Sequence, residues 1–298
     1  MLAGHPEWQA RTDVLTHDLT VPFSAQAIAR LASGDGLDFI IAAASESHVD
    51  RSIADPVPFV RNNVDVALNT LELARRLKPR AVVLVSTDEV YGPGEDFAEW
   101  SAILPSSPYA ASKAAQEAIA FSYWRTFGVP VIIVNCMNLA AERQDPEKYL
   151  PSLIRNISQG REVLVHGTEG NIGTRYYLHA RNLADGILFL LNGRPPAAFP
   201  ANARPGAPRA GRPDRYNIVG PDRISNLELA QMVAAIIGKP LRYKLTDFHS
   251  ARPGHDPHYG LSGVKMDVLG WKPPVPFAES LEKTVRWTLE HEEWLLES

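Results

Sequence analysis

The sequence predicts an α/β protein: a doubly wound parallel sheet followed by a smaller α+β lobe. Two features of the pattern carry that reading. Apolar runs at 13–19, 38–44, 81–86 and 131–135 are rich in Val and Ile, as strands buried on both faces must be. Stretches of helical periodicity separate them, and strand, helix, strand is the parallel crossover unit. Size permits it, because 298 residues at 45% hydrophobic and 21% charged can bury a substantial core.

The elements follow in order. Runs 13–19 and 38–44 read as the first two strands. Val60, Val64, Leu68, Leu71 and Ala74 share one face of a helix over 58–77 that stops at Lys78-Pro79. Strand 81–86 comes next. Residues 109–127 are Ala-rich and free of Gly and Pro until Gly128, which sits where a helix C-cap falls, and 131–135 resumes the strand pattern. A first domain over 1–145 is thus expected. Beyond it, over 146–298, shorter strand-like pieces at 163–166, 215–219 and 241–244 alternate with helices. Ser225 and Glu228 have capping-box spacing ahead of 229–237, and 277–296 is amphipathic with Leu281, Val285 and Leu289 on one face. Residues 194–213 hold six Pro and four Arg without periodicity and read as a flexible, solvated surface loop.

Thirty Lys and Arg against 34 Asp and Glu leave a net charge of −4, so no bulk positive field exists to hold nucleic acid or an anionic membrane. No apolar run approaches the ~20 residues that span a bilayer, and no signal pattern opens the chain. A cytoplasmic protein is expected. The single cysteine, Cys136, lies in an apolar run and reads as core, with no metal site implied.

Chemistry concentrates in two places. Ser86-Thr87-Asp88-Glu89 follows strand 81–86 directly, placing hydroxyls and two carboxylates at the C-terminal edge of a parallel sheet, where ligands bind. Tyr109 and Lys113 stand at i and i+4 near a helix start, on one face. An adjacent ammonium favours the phenolate and would make Tyr109 a usable base.

Those segments, 86–92 and 107–113, are similar almost letter for letter to the catalytic segments of the extended short-chain dehydrogenase/reductase superfamily, and most closely to dTDP-glucose 4,6-dehydratases. The resemblance implies a Rossmann-like fold, bound NAD and a nucleotide-sugar substrate. Thr87, Asp88, Glu89, Tyr109 and Lys113 would be catalytic, and Asp88-Glu89 resembles the dehydratases in particular, because related epimerases usually carry other residues there. Asp18, Ala43, Ala44, Ser45, Asn63 and Ser86 match positions that line the cofactor site together with Tyr109 and Lys113. Ser47, His48, Asn138, Glu147, Lys148, Arg175, Asn217, Arg252, His255 and Tyr259 match the substrate side. There Arg175 and Arg252 would clamp the diphosphate, since guanidinium forks suit it. Helices 58–77 and 109–127 resemble the family's dimer contact, so a homodimer is expected.

The implied cycle runs through a ketone. Tyr109 takes the proton of the hexose 4-hydroxyl as hydride leaves carbon 4. Glu89 then takes the carbon 5 proton, Asp88 protonates the departing 6-hydroxyl, and hydride returns to carbon 6.

Two departures stand out. Superfamily members open with a Gly-x-x-Gly-x-x-Gly turn that holds the cofactor pyrophosphate. That turn is missing here, and Gly4, Gly34 and Gly36 do not replace it. A sheet lacking its first two strands, about 35 to 40 residues, is expected. Leu139-Ala140-Ala141-Glu142 also replaces the family's usual Asn, Tyr and Gly. A 4-epimerase and a non-catalytic nucleotide-sugar-binding relative or partner subunit are the alternatives.

Overall fold

The computed structural model describes residues 6–33, 36–193, 211–247 and 258–296. Arg252, His255 and residues 194–210 of the predicted loop lie outside them. Along the chain, α1 (Pro6–Gln9) and α2 (Ala25–Leu31) precede β1 (Phe39–Ala42), and α3 (Val49–Ala54) and α4 (Pro56–Leu77) lead to β2 (Ala81–Thr87). A 3-10 turn, Asp88–Tyr91, and β3 (Gly94–Phe97) then precede α5 (Pro108–Phe127) and β4 (Val131–Cys136). There follow β5 (Asn138–Ala140), α6 (Tyr149–Ser158), β6 (Val163–Thr168), β7 (Asn171–Ile172), β8 (Thr174–His179) and α7 (Ala180–Gly193). Next come β9 (Asp214–Ile218), β10 (Arg223–Ser225), α8 (Asn226–Ile237), β11 (Tyr243–Thr246) and β12 (Tyr259–Leu261), with a last long helix at Phe277–Glu290.

The main sheet is parallel throughout, in the order β1-β2-β4-β9. Alternation along β2 and β4 sends Val82, Leu84, Val131 and Ile133 to one face, where Leu71 and Ala74 of α4 and Ala120 and Trp124 of α5 cover them. Ala81, Val83, Ile132 and Val134 face the other way, against Leu183, Ile187 and Leu190 of α7. Helices on both faces make this the doubly wound α/β layer that the sequence predicts. Pro56 and Pro108 each occupy a first turn, where no backbone N–H is missed. Gly128 closes α5 at φ 71°, a conformation that glycine adopts freely.

A second core lies apart, built from α6, α8, the helix Phe277–Glu290 and β6, with Leu153, Ile157, Leu229, Val233, Leu281 and Val285 buried in it. Ser225 caps α8 in the predicted reciprocal manner with Glu228.

The structure differs from expectation in four places. Residues 13–19 form no strand. No strand among the described residues lies alongside to pair them; instead Arg30 Nε holds Asp13 at 3.0 Å, and Asn69 of α4 donates to the Leu19 carbonyl at 3.0 Å. Strand β9, expected in the second lobe, pairs with β4, so residues 180–193 and 214–218 belong to the first layer. The piece at 241–244 shifts to Tyr243–Thr246 to match β6. Finally, the helix predicted to 296 ends at Glu290. The imidazole of His291 stacks on Trp287 at 4.1 Å, and its Nδ1 lies 2.8 Å from the Trp287 carbonyl that a continuing helix needs.

Candidate active site

Two cavities open at the C-terminal edge of the parallel sheet. The smaller, about 510 Å³, lies between residues 17–20, the segment after β1 and the start of α4. The larger, about 730 Å³, lies between the first layer and the second lobe. Ser45, Ser47, His48, Glu147 and Lys148 line both, so the two are neighbours across one wall. That wall is tied together: Lys148 Nζ donates to the Ser47 carbonyl at 2.7 Å, and Glu147 meets Arg51 at 2.7 Å and His48 at 3.4 Å. Burial and the Lys148 ammonium hold His48 below the ordinary imidazole range.

All five expected catalytic residues face the larger cavity. Strand β2 ends at Thr87, whose hydroxyl caps the 3-10 turn, accepting from the Glu89 amide at 3.4 Å and donating to Asp88 Oδ1 at 3.0 Å. The turn thereby fixes both carboxylates beside the strand end. Asp88 is only 3% exposed, and burial raises its carboxyl to about 6. Its Oδ2 has no partner among the described residues. The Tyr109 hydroxyl pairs with Thr87 and lies in the field of Glu89.

The sequence expects the Lys113 ammonium to make Tyr109 basic, and here the structure differs. Nζ of Lys113 turns to the Val85 carbonyl at 2.8 Å and Gln116 Oε1 at 2.7 Å. Burial, with Glu89 next, pushes the Tyr109 phenol well above its usual value, so at neutral pH it holds its proton. Lys113, itself buried, is drawn down to about 8.

The remaining expected residues divide. Asp18 and Ala44 line the smaller cavity, while Ala43, Ser86, Asn138 and Arg175 line the larger. Asn63 reaches neither. Fully buried, its amide accepts from Glu46 N at 2.7 Å and donates to Glu46 O at 3.0 Å and Ser112 Oγ at 2.8 Å, so it shapes the loop after β1. Asn217 is likewise buried at the end of β9, donating to the carbonyls of Phe97 at 2.9 Å and Ser262 at 3.2 Å. Tyr259 stands behind Arg175, whose guanidinium lies 4.6 Å from its ring. Further lining residues went unpredicted, including Tyr177, His166 and Gln144. Tyr177 stands two residues beyond Arg175 on β8, so strand alternation was the signal that finds it.

Against this geometry, the profile of the NAD dependent epimerase/dehydratase family matches residues 5–199. The chain belongs to that family. It is 36% identical over 263 residues to dTDP-glucose 4,6-dehydratase of Streptomyces niveus, covering 87% of this chain and 72% of the relative. With dTDP-glucose 4,6-dehydratase 1 of Escherichia coli K12 it shares 32% over 301 residues, 91% and 78% of the two chains. A crystal structure of the Streptomyces venezuelae dTDP-glucose 4,6-dehydratase with NAD bound superposes at a TM-score of 0.77 and 34% identity, covering 93% of this chain and 80% of that one. Among the described residues, no helix is long and apolar enough to cross a membrane.

Proposed function

We propose that the chain is a sugar-nucleotide 4,6-dehydratase, converting dTDP-glucose or a similar nucleoside diphosphate hexose to the 4-keto-6-deoxy sugar with loss of water, in the cytoplasm. One observation carries the reading: Thr87, Asp88, Glu89 and Tyr109 face a single cavity from one strand end and one helix start. The relatives named dTDP-glucose 4,6-dehydratase support it.

The residues present fit the nicotinamide half of NAD. Ala43, Ser45, Ser86, Tyr109 and Lys113 wall the side of the larger cavity nearest the sheet edge, and the adjoining smaller cavity with Asp18 suits the adenosine. Among the described residues no glycine turn offers amides to the pyrophosphate. When bound, NAD⁺ would accept the hydride of carbon 4 and return it to carbon 6 after water has left, and its positive ring would favour the Tyr109 phenolate.

In the reading we adopt, Tyr109 takes the 4-hydroxyl proton while Thr87 steadies the developing ketone by hydrogen bonding. The ketone acidifies carbon 5. Glu89 takes that proton, and Asp88, protonated below about 6, gives its own to the departing 6-hydroxyl, which leaves as water. Arg175, 5% exposed, holds the diphosphate, with Lys148 and Ser47 on the hexose side. Incubation with dTDP-glucose and NAD⁺ is expected to give a product with the base-induced absorbance of a 4-keto-6-deoxy sugar; a folded chain giving none contradicts the proposal.

We also place α4 and α5, which pack against each other, at a two-fold contact between chains. Light scattering at micromolar concentration is expected to return twice the chain mass, and the monomer mass contradicts it.

A further inference from the structure

Behind the catalytic turn lies a buried ion pair that the reaction scheme does not use. Glu117 follows Lys113 by one turn of α5 and is 1% exposed. Its Oε1 accepts from Ser86 Oγ at 2.5 Å and from Asn135 Nδ2 at 2.9 Å, and the same Nδ2 donates to the Thr87 carbonyl at 3.0 Å. Its Oε2 binds Arg215 of β9, itself 2% exposed. Arg215 Nη1 donates to the Glu99 carbonyl at 3.0 Å and the Tyr91 hydroxyl at 3.3 Å, with the Trp100 ring 4.4 Å from the guanidinium.

The consequence is geometric. Ser86 and Thr87 begin the segment that carries Asp88 and Glu89, and Tyr91 ends its 3-10 turn. The pair therefore grips that turn at both ends and fastens it to the helix bearing Tyr109 and Lys113. We infer that Glu117 and Arg215 are positioning residues, which set the Thr87–Asp88–Glu89 turn against Tyr109 and hold a carboxylate one helical turn from Lys113.

Stability alone does not account for the pair. A buried ion pair returns little net stability over apolar residues of similar volume, and here Arg215 Nε and Asn135 Oδ1 have no partner among the described residues. Electrostatics points the same way. Lys113 is lowered by burial, while the fields of Cys136 and then of Glu117 oppose that lowering. Tyr109 lies one turn back on the same helix, Asp88 faces Cys136 across the turn, and Arg215 shares the Glu117 carboxylate.

The inference rests on the dehydratase reading, so its test has a readout free of turnover. Competitive acylation across pH, followed by mass spectrometry, reports where Lys113 titrates. Wild type is expected near the value of about 8. Glu117→Gln should lower it by about one pH unit and cut kcat roughly 10- to 100-fold, with KM for the nucleotide sugar unchanged. Because Glu117→Gln strands a buried guanidinium, the double variant Glu117→Gln/Arg215→Met is measured beside it. That variant should melt at or above the wild-type temperature yet keep the low Lys113 titration and the low kcat. Glu117→Asp, which retains the charge, should return the titration to the wild-type value. Unchanged Lys113 titration in Glu117→Gln, wild-type kcat in the double variant, or failure of the double variant to fold would each overturn the inference. An inactive wild type with the labelling shift intact would refute the dehydratase reading instead.

Discussion

Asp88 shows what burying a carboxyl at this site costs in stability. Its folded value of about 6 lies above the unfolded 3.8, so the unfolded chain releases the proton first and stability falls as pH rises between about 4 and 6. The difference amounts to about 3 kcal/mol above that window and nothing below it. Asp88→Asn is therefore expected to raise the melting temperature at pH 8, leave it unchanged at pH 4, and abolish dehydration; equal melting at pH 8 contradicts the account. The wild-type dehydration rate should likewise fall as pH rises through about 6. The five positions proposed as catalytic share one cavity, and they were legible because they are contiguous or one helical turn apart. Asn63 and Asn217 line neither cavity, because direction along a helix or strand does not say whether an amide reaches a cavity or turns back to a neighbouring carbonyl. The partnership of Glu117 with Arg215 joins residues 98 positions apart and leaves no local pattern.

Elements were legible where local chemistry sufficed. Val131–Cys136, apolar but for Asn135, is buried throughout, and Gly128 ends α5 where the sequence places the stop. Pairing was the harder property. Residues 13–19 carry a strand composition, yet a strand is a relation between neighbours, and Ile41 on the edge strand β1 remains 51% exposed. The end of α4 offers a test of local backbone cost. Lys78 adopts φ 53° at the C-cap, the left-handed region that a Cβ disfavours by about 1 kcal/mol. Lys78→Gly is expected to stabilise the chain by roughly that amount in urea unfolding. A destabilised variant would show that the Lys78 side chain matters more than its backbone.

On the scale of the whole molecule, the site exists because two bodies of structure meet at one sheet edge. Composition announced the change of rhythm near residue 146, but not that α7 and β9 return to the first layer and bring Arg215 beneath the Asp88–Tyr91 turn. Loop 45–48 from one side and Glu147-Lys148 from the other form the shared wall of both cavities. A nucleoside diphosphate bound there should stabilise both bodies together, by about 2.7 kcal/mol at one hundred times its Kd, seen as one melting transition moving upward. Movement of only one of two transitions would contradict a shared site. The most direct measurement of the central claim is turnover of dTDP-glucose with NAD⁺ in deuterium oxide, read by proton NMR of the product. The account predicts a 4-keto-6-deoxy sugar deuterated at carbon 5, with Glu89→Gln giving neither product nor exchange. A product that retains its carbon 5 proton, or a 4-epimer that keeps the 6-hydroxyl, would contradict it.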